Sequence, residues 1–316
     1  MFSDAHASLA DWYARYGRHD LPWRKTDDPY RIWISEIMLQ QTQVKTVLER
    51  FYFPFLEAFP TLRELADADL DDVLKKWEGL GYYTRAKNLH KAARLAEARL
   101  PQTVSELEAL PGIGRSTAHA VAAFAYHTPV PIMDANVKRI LCRVFAEERP
   151  TEKRLWEHAY ALFDAERPFD YNQAMMDLGS ALCTPRAPGC DACPLAAVCR
   201  GRDDPERYPQ KRTKRPPPVR RKVIVVHRRK SRFGVRQRTG AFLHGLWGFC
   251  EHDACDTSGM ISLGKVTQKY SHFTLEAAVF LSDTPAEGLG WYERSALDAL
   301  ALSGADRKVL ALIDAL

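Results

Sequence analysis

Leu110-Pro111-Gly112-Ile113-Gly114-Arg115-Ser116, followed by Asp134-Ala135-Asn136-Val137-Lys138-Arg139, is the stretch on which the reading of this 316-residue chain turns. Ser105 to Leu110 is spaced as a short amphipathic helix. Gly112 and Gly114 permit a tight turn and leave backbone N–H groups without side-chain cover. A small-residue helix begins at Arg115 and runs to about Tyr126. Its free N–H groups and positive dipole end point outward, an arrangement that can hold a phosphate. Pro129 and Pro131 carry the chain to Asp134, which opens the helical period Val137, Ile140, Leu141, Val144. The expectation is a hairpin that grips a nucleic-acid backbone while Asp134 faces the sugar under attack. Standing alone, an Asp in this position is simply an N-cap.

Toward the N-terminus, Asp4 to about Arg18 has the pattern of an amphipathic helix, and His19 to Arg24 reads as a loop. Asp28 caps the next helix with Pro29 at its first position. The apolar residues Trp33, Ile37, Met38, Val44, Val47, Leu48 and Phe51 carry that helix to Phe51. Its other face holds Glu36, Gln40 and Gln43 at i, i+4 and i+7, with Gln41 and Thr42 beside them. A solvated helix face has the same pattern. Leu62 to Trp77 reads as a helix pair, broken by Gly79-Leu80-Gly81-Tyr82-Tyr83. The two tyrosines either enter a base stack or pack at a helix junction. Arg85 to Leu100, Glu152 to Phe163 and Gln173 to Leu182 are again helical.

Toward the C-terminus, four of the seven cysteines form Cys183-x6-Cys190-x2-Cys193-x5-Cys199. Four thiolates in one loop can enclose a cuboidal iron–sulfur cluster. Structural zinc is the rival, but it favours two close pairs, and only Cys190 and Cys193 make one. Cys142, Cys250 and Cys255 are scattered, and buried packing is their default. From Arg200 to Arg232 there are 14 Lys/Arg against Asp203, Asp204 and Glu206, a net of +11 in a chain of net +5. Any polyanion contact is therefore local, although a solvated basic linker has the same composition. Pro205, Pro209 and Pro216 to Pro218 mark that linker. Beyond it, Lys222 to His227, Phe233 to Arg238, Leu246 to Phe249 and Leu275 to Leu281 read as strands, and Arg307 to Leu316 as a closing helix.

With 46% hydrophobic and 27% charged residues, the chain belongs to the globular class. No apolar run reaches the roughly 20 residues of a membrane span. Met1 to His6 lacks the basic-then-apolar pattern of a signal peptide. The expectation is a cytoplasmic protein, nucleoid-associated through DNA, with a monomer as its default state.

The chain resembles the adenine DNA glycosylases of the MutY type, within the helix-hairpin-helix base-excision superfamily that includes endonuclease III. The resemblance is carried by Leu21 to Arg24, Trp33 to Val44, Gly79 to Tyr83, the hairpin, Asp134 to Arg139, Asn172 to Gly179 and the cysteine loop. It implies a mainly α helix-hairpin-helix glycosylase domain over 1–202 with a 4Fe-4S cluster loop. A basic Pro-rich linker follows over 203–221, then a small α+β Nudix-like domain over 222–316. It implies that Glu36 protonates adenine at N7, that Asp134 stabilises the sugar cation or traps it, and that Asn136 positions the reacting groups. Trp23, Arg24, Leu39 and Asp177 match positions around the adenine pocket. Gln41 and Tyr82 fall where the family probes and wedges the duplex. Cys183, Cys190, Cys193 and Cys199 match the cluster ligands.

Ser116 stands where endonuclease III-type enzymes carry a Schiff-base lysine, so a monofunctional glycosylase is implied. Tyr270-Ser271-His272-Phe273 matches the family's Phe-Ser-His loop, placing Ser271 and His272 against 8-oxoguanine in a duplex where it faces adenine. Tyr270 and Ala135 depart from the usual Phe and Gly. Burial against an apolar pocket would raise the Glu36 pKa, and a helix N-terminus would keep Asp134 ionised.

Overall fold

The structure, a computed structural model, describes residues 2–97, 99–210 and 216–316. Residues 211–215 of the expected linker lie outside the described residues. Among the described residues, twelve α-helices come first: α1 (Ser3–Tyr16), α2 (Pro29–Leu39), α3 (Val44–Arg50), α4 (Tyr52–Ala58), α5 (Leu62–Asp67), α6 (Leu70–Lys76), α7 (Thr84–Leu95), α8 (Val104–Glu108), α9 (Arg115–Ala125), α10 (Ala135–Val144), α11 (Glu152–Leu162) and α12 (Pro168–Ala181). Seven strands and α13 (Gly304–Ile313) complete the fold. The chain forms two compact units, neither continuous in sequence.

The first unit comprises Met1–Val47, Thr61–Arg63 and Lys91–Thr213. Its main core joins Leu9 and Tyr13 of α1, Ile140 and Leu141 of α10, and Met175 and Leu178 of α12. Leu195 of the cysteine loop enters the same core, which ties that loop to the helices. A second cluster packs Ile32 of α2 on Ala120, Ala123 and Phe124 of α9. The run of alanines makes α9 thin enough for α2 to lie closely against it. Asp28 caps α2 as expected, accepting from the Tyr30 N–H at 2.9 Å.

One helix expectation is corrected. α2 ends at Leu39 and α3 starts at Val44, so Glu36, Gln40 and Gln43 do not share one helix face. Gln41 takes φ +59, a conformation that interrupts a right-handed helix. The Gln40 side chain donates to Thr117 Oγ1 on α9 at 3.3 Å, fixing the break from a distant part of the sequence.

The second unit comprises Leu48–Pro60, Glu64–His90 and Lys214–Leu316. Its strands are β1 (Val219–Arg229), β2 (Arg232–Gln237), β3 (Trp247–Gly248), β4 (Cys250–His252), β5 (Ile261–Lys269), β6 (Thr274–Ser282) and β7 (Gly290–Glu293). They form one mixed sheet of order β3-β2-β1-β6-β5, with β4 paired to β1 and β7 to β2. β1 and β6 run parallel from Val219↔Thr274 to His227↔Ser282, and the other pairings are antiparallel. Val309 and Leu310 of α13 pack on Val266, Leu275 and Val279 of the sheet. This is the α+β domain that the sequence led us to expect. Tyr270 to Phe273 forms the tight connection of the β5–β6 hairpin, closed by the Tyr270 N–H donating to the Phe273 carbonyl at 2.9 Å.

Candidate active site and cysteine-lined cavity

Two carboxyls approach each other in the first unit. Glu36 projects from α2, and Asp134 is the N-cap of α10. Asp134 Oδ1 accepts from the Val137 N–H at 2.7 Å, and Asn136 Nδ2 donates to Oδ2 at 3.3 Å. The cap and the site are thus one residue. Burial is the largest cause that lifts the Glu36 pKa from 4.5 to about 7. The negative charge of Asp134 lifts it further, and the Arg24 guanidinium partly offsets the rise. Glu36 nevertheless retains partial access to solvent, as a group meeting a ligand requires. A carboxyl that is about half protonated at neutral pH is suited to giving up a proton.

Asp134 departs from expectation in one respect. Its pKa is raised, because burial outweighs the N–H bonds from Val137 and Asn136 and the charge of Arg139. The helix terminus moderates the penalty for a charge here and does not reverse it.

Several side chains that the sequence left without roles hold Asp134 in place. Asn172 accepts from the Ile132 N–H at 2.8 Å and donates to the Val130 carbonyl at 2.9 Å. His119 Nδ1 lies 2.7 Å from the Pro131 carbonyl. The proline loop that delivers Asp134 is therefore clamped from α9 and α12. Arg139 donates to Asn136 Oδ1 at 2.9 Å, to the Gly179 carbonyl at 2.6 Å and to the Cys183 carbonyl at 2.7 Å. Gly179 lies at the α10–α12 crossing, where a Cβ would stand 2.5 Å from Asn136 Cβ. Gly179→Ala is expected to cost about 1–3 kcal/mol of stability through overpacking, and to slow the reaction by displacing Asn136. Urea unfolding and single-turnover rates check both effects.

The expected pocket residues divide in two. Trp23 and Arg24 lie in the short 3₁₀ turn Pro22–Arg24, and Leu39 ends α2. Asp177 is 2% exposed, and both of its oxygens are occupied. Arg24 donates to them at 2.7 and 2.8 Å, and the Arg18 N–H and Nε at 2.8 and 2.7 Å. Burial alone would raise the Asp177 pKa, but the bonds from Arg24 and Arg18 outweigh it and hold the carboxyl below its ordinary range. Asp177 therefore anchors Arg24 beside Glu36.

In the hairpin, Gly112 takes φ +78, while Gly114 caps α9 and faces open space where a Cβ would meet nothing. Ser116, in the first turn of α9, is partly accessible. In the second unit, Gly79 and Gly81 both take positive φ, and so does Tyr82 at +51. Tyr82 is 43% exposed, on a turn whose Gly81 carbonyl accepts from Trp77 Nε1 at 3.1 Å. Tyr83 instead turns inward and donates to the Leu302 carbonyl at 3.3 Å, so the two adjacent tyrosines separate in role. Ser271 and His272 are exposed at the hairpin tip, with Ser271 Oγ 3.3 Å from His272 Nδ1.

Cys183, Cys190, Cys193 and Cys199 line one small cavity together with Arg143 and Leu182. Arg143 Nη1 lies 3.2 Å from Cys183 Sγ and donates to the Thr184 carbonyl at 2.8 Å. Among the described residues, no three His, Cys, Asp or Glu side chains close on a site for one metal ion. Four cysteines lining one small cavity are the donor set that a 4Fe-4S cluster takes.

A proton-bearing carboxyl on α2 faces a capping carboxyl on α10 in a helical unit that also carries the glycine hairpin. Residues 34–163 match the family model described as "HhH-GPD superfamily base excision DNA repair protein". The chain belongs to the adenine DNA glycosylase family. It is 38% identical over 242 residues to "Adenine DNA glycosylase" of Buchnera aphidicola subsp. Acyrthosiphon pisum, covering 73% of this chain and 69% of that one. It is 41% identical over 218 residues to "Adenine DNA glycosylase" of Homo sapiens, covering 63% of this chain but only 40% of that one. Among solved structures, a thermostable thymine-DNA glycosylase is similar with a TM-score of 0.58 and 29% identity, over 62% of this chain and 94% of that one.

Proposed function

We propose that this chain removes adenine mispaired with 8-oxoguanine or guanine in double-stranded DNA, hydrolysing the N-glycosidic bond and leaving an abasic site. The observation that carries this reading is the Glu36 carboxyl, held near neutral pKa beside Asp134. A stacked base is out of reach, so the nucleotide must swing out at a cost of a few kcal/mol. Adenine leaves poorly as an anion. Proton transfer from Glu36 to N7 lets it leave neutral, and positive charge then develops on the sugar. Asp134 stabilises that cation or traps it covalently, with Asn136 setting the carboxylate's orientation, until water adds at C1′ and its proton passes to the carboxylate left by Glu36. Arg24, pinned by Asp177, limits the rise in the Glu36 pKa so that the proton remains transferable. The outward N–H groups at Gly112 and Gly114 hold a backbone phosphate.

Gln41 and Tyr82 supply exposed side chains on strained turns that probe and enter the duplex. Ser271 and His272 meet the base opposite the adenine. Ser116 offers no amine, so no Schiff base forms there and the strand stays intact. Cys183, Cys190, Cys193 and Cys199 would hold a 4Fe-4S cluster, which supplies a fixed, charged body to the loop and no electron to the reaction.

The test is adenine release from 8-oxoguanine:adenine and guanine:adenine duplexes under single turnover. Release without strand cleavage before alkali is the expected result, from protein that absorbs visible light when purified without air. Stoichiometric strand cleavage, or a colourless zinc protein, would each overturn the corresponding part.

A further inference from the structure

Two turns of the second unit, the Gly79–Tyr83 turn with Tyr82 exposed and the Tyr270–Phe273 hairpin tip with Ser271 and His272 exposed, lie nearly 200 residues apart in sequence. Both meet the same few residues at the start of α13. Tyr83 donates its hydroxyl to the Leu302 carbonyl. The Tyr270 ring packs against the core cluster that contains Leu302 and Ala305. Burial is the largest cause that pushes the Tyr83 hydroxyl up to about 12.

Ser303 is the N-cap of α13 and accepts from the Asp306 N–H. Asp306 is fully buried and receives Arg238 at 2.9 and 3.1 Å and the Phe249 N–H at 3.1 Å. One residue further, Arg307 grips Glu78, which immediately precedes the glycine turn, with Nη2 2.8 Å from Oε2. Lys75 reaches the same Glu78 oxygen at 2.8 Å and the Leu300 carbonyl at 3.3 Å. Asp71 of α6 accepts from Gln237 at 2.8 Å and from Trp247 Nε1 at 3.1 Å, which fixes the sheet to the same helices.

We propose that Leu302 to Arg307 is a rigid joint holding the turn that carries Tyr82 and the tip that carries Ser271 and His272 in one fixed relation. Tyr83 and Arg307 are then positioning residues through which the identity of the base opposite the adenine bears on insertion of Tyr82. The inference rests on the proposed function for what the two segments read, while the joint itself can be judged without DNA.

The full chain is compared with Tyr83→Phe, Arg307→Ala and Arg307→Lys. Backbone hydrogen exchange in unliganded protein is followed at 79–83 and 270–273. Tyr83→Phe and Arg307→Ala are expected to raise exchange in both segments together, and Arg307→Lys, which keeps a cation facing Glu78, to restore much of the protection. The ratio of single-turnover rates, 8-oxoguanine:adenine over guanine:adenine, falls about fivefold or more. The guanine:adenine rate stays within about twofold, a split that general destabilisation would not produce. Faster exchange in one segment only, or an unchanged ratio in both Tyr83→Phe and Arg307→Ala, overturns the joint. Tyr83→Phe removes a single hydroxyl and keeps the ring, so it serves if Arg307→Ala does not fold. A wild-type chain that does not distinguish the two duplexes overturns the functional reading, and concerted exchange would in that case still support the joint.

Discussion

Glu36→Gln is expected to lower base release at pH 7 by about 10²–10⁴-fold, the usual worth of a positioned general acid, while making the fold more stable at pH 8. The two effects share one cause. Glu36 is buried beside Asp134, so its pKa stands at about 7 against 4.5 for an unconstrained glutamate. A carboxyl whose folded value lies above its unfolded value binds more protons in the folded state. Its contribution to stability is fully present below pH 4.5 and is lost as pH rises through 7. At 1.36 kcal/mol per unit, a rise of this size corresponds to roughly 3 kcal/mol, and the partial access of Glu36 to solvent reduces it to about 1–3 kcal/mol. Glutamine has no proton to lose, so the variant and the wild type should converge in stability near pH 4 and separate by pH 8. Urea titrations at the two pH values read the stability, and single-turnover release reads the chemistry. A variant that releases adenine at the wild-type rate would take Glu36 out of the reaction. A variant no more stable at pH 8 would mean that burial does not penalise its charge.

What could be read from the sequence was local. The tight turn at Gly112, the Asp28 cap and the Asp134 cap each depend on chemistry within a few residues, and each is in the fold where the spacing put it. The boundary of α2 was not legible, because the break at Gln40 is set by a hydrogen bond to Thr117, 77 residues away. The place of Asp177 was obscured for the same reason, since its partners Arg18 and Arg24 lie 159 and 153 residues away. β5 escaped notice because only Val266 of its nine residues is buried, leaving almost no alternation to see. Asn172 and Arg139 stand within quoted motifs, yet their work is to bond backbone carbonyls and N–H groups that only the folded chain brings near. Tyr82 and Tyr83 are the sharpest case. The sequence offers two equal aromatics, and the left-handed φ of the first turns it outward while a distant carbonyl draws the second in.

Asp134→Asn tests the other carboxyl and should reduce base release by at least about 10²–10³-fold, as expected when a charge aimed at a developing cation is removed. Stability should change little. The asparagine Oδ1 can still accept from the Val137 N–H, and Asn is as good an N-cap as Asp. Burial raises the pKa of Asp134, so removing its charge relieves a penalty, which the loss of the bond from Asn136 Nδ2 to Oδ2 offsets. The variant also carries a signature that a misfolded site would lack. The Asp134 charge is the second cause of the raised Glu36 pKa. Without it Glu36 loses its proton more readily, so the alkaline fall in the residual rate should move to lower pH. In the wild type that fall is centred near 7, where Glu36 gives up its proton, and the acid limb lies above 3.8, where Asp134 becomes neutral. A pH–rate profile of the variant, taken with enough protein for slow single turnovers, shows whether the alkaline limb moves. A limb that stays in place while the rate falls would leave Asp134 a role in catalysis but remove its influence on Glu36, and with it the coupling between the two carboxyls on which the division into proton donor and cation stabiliser rests.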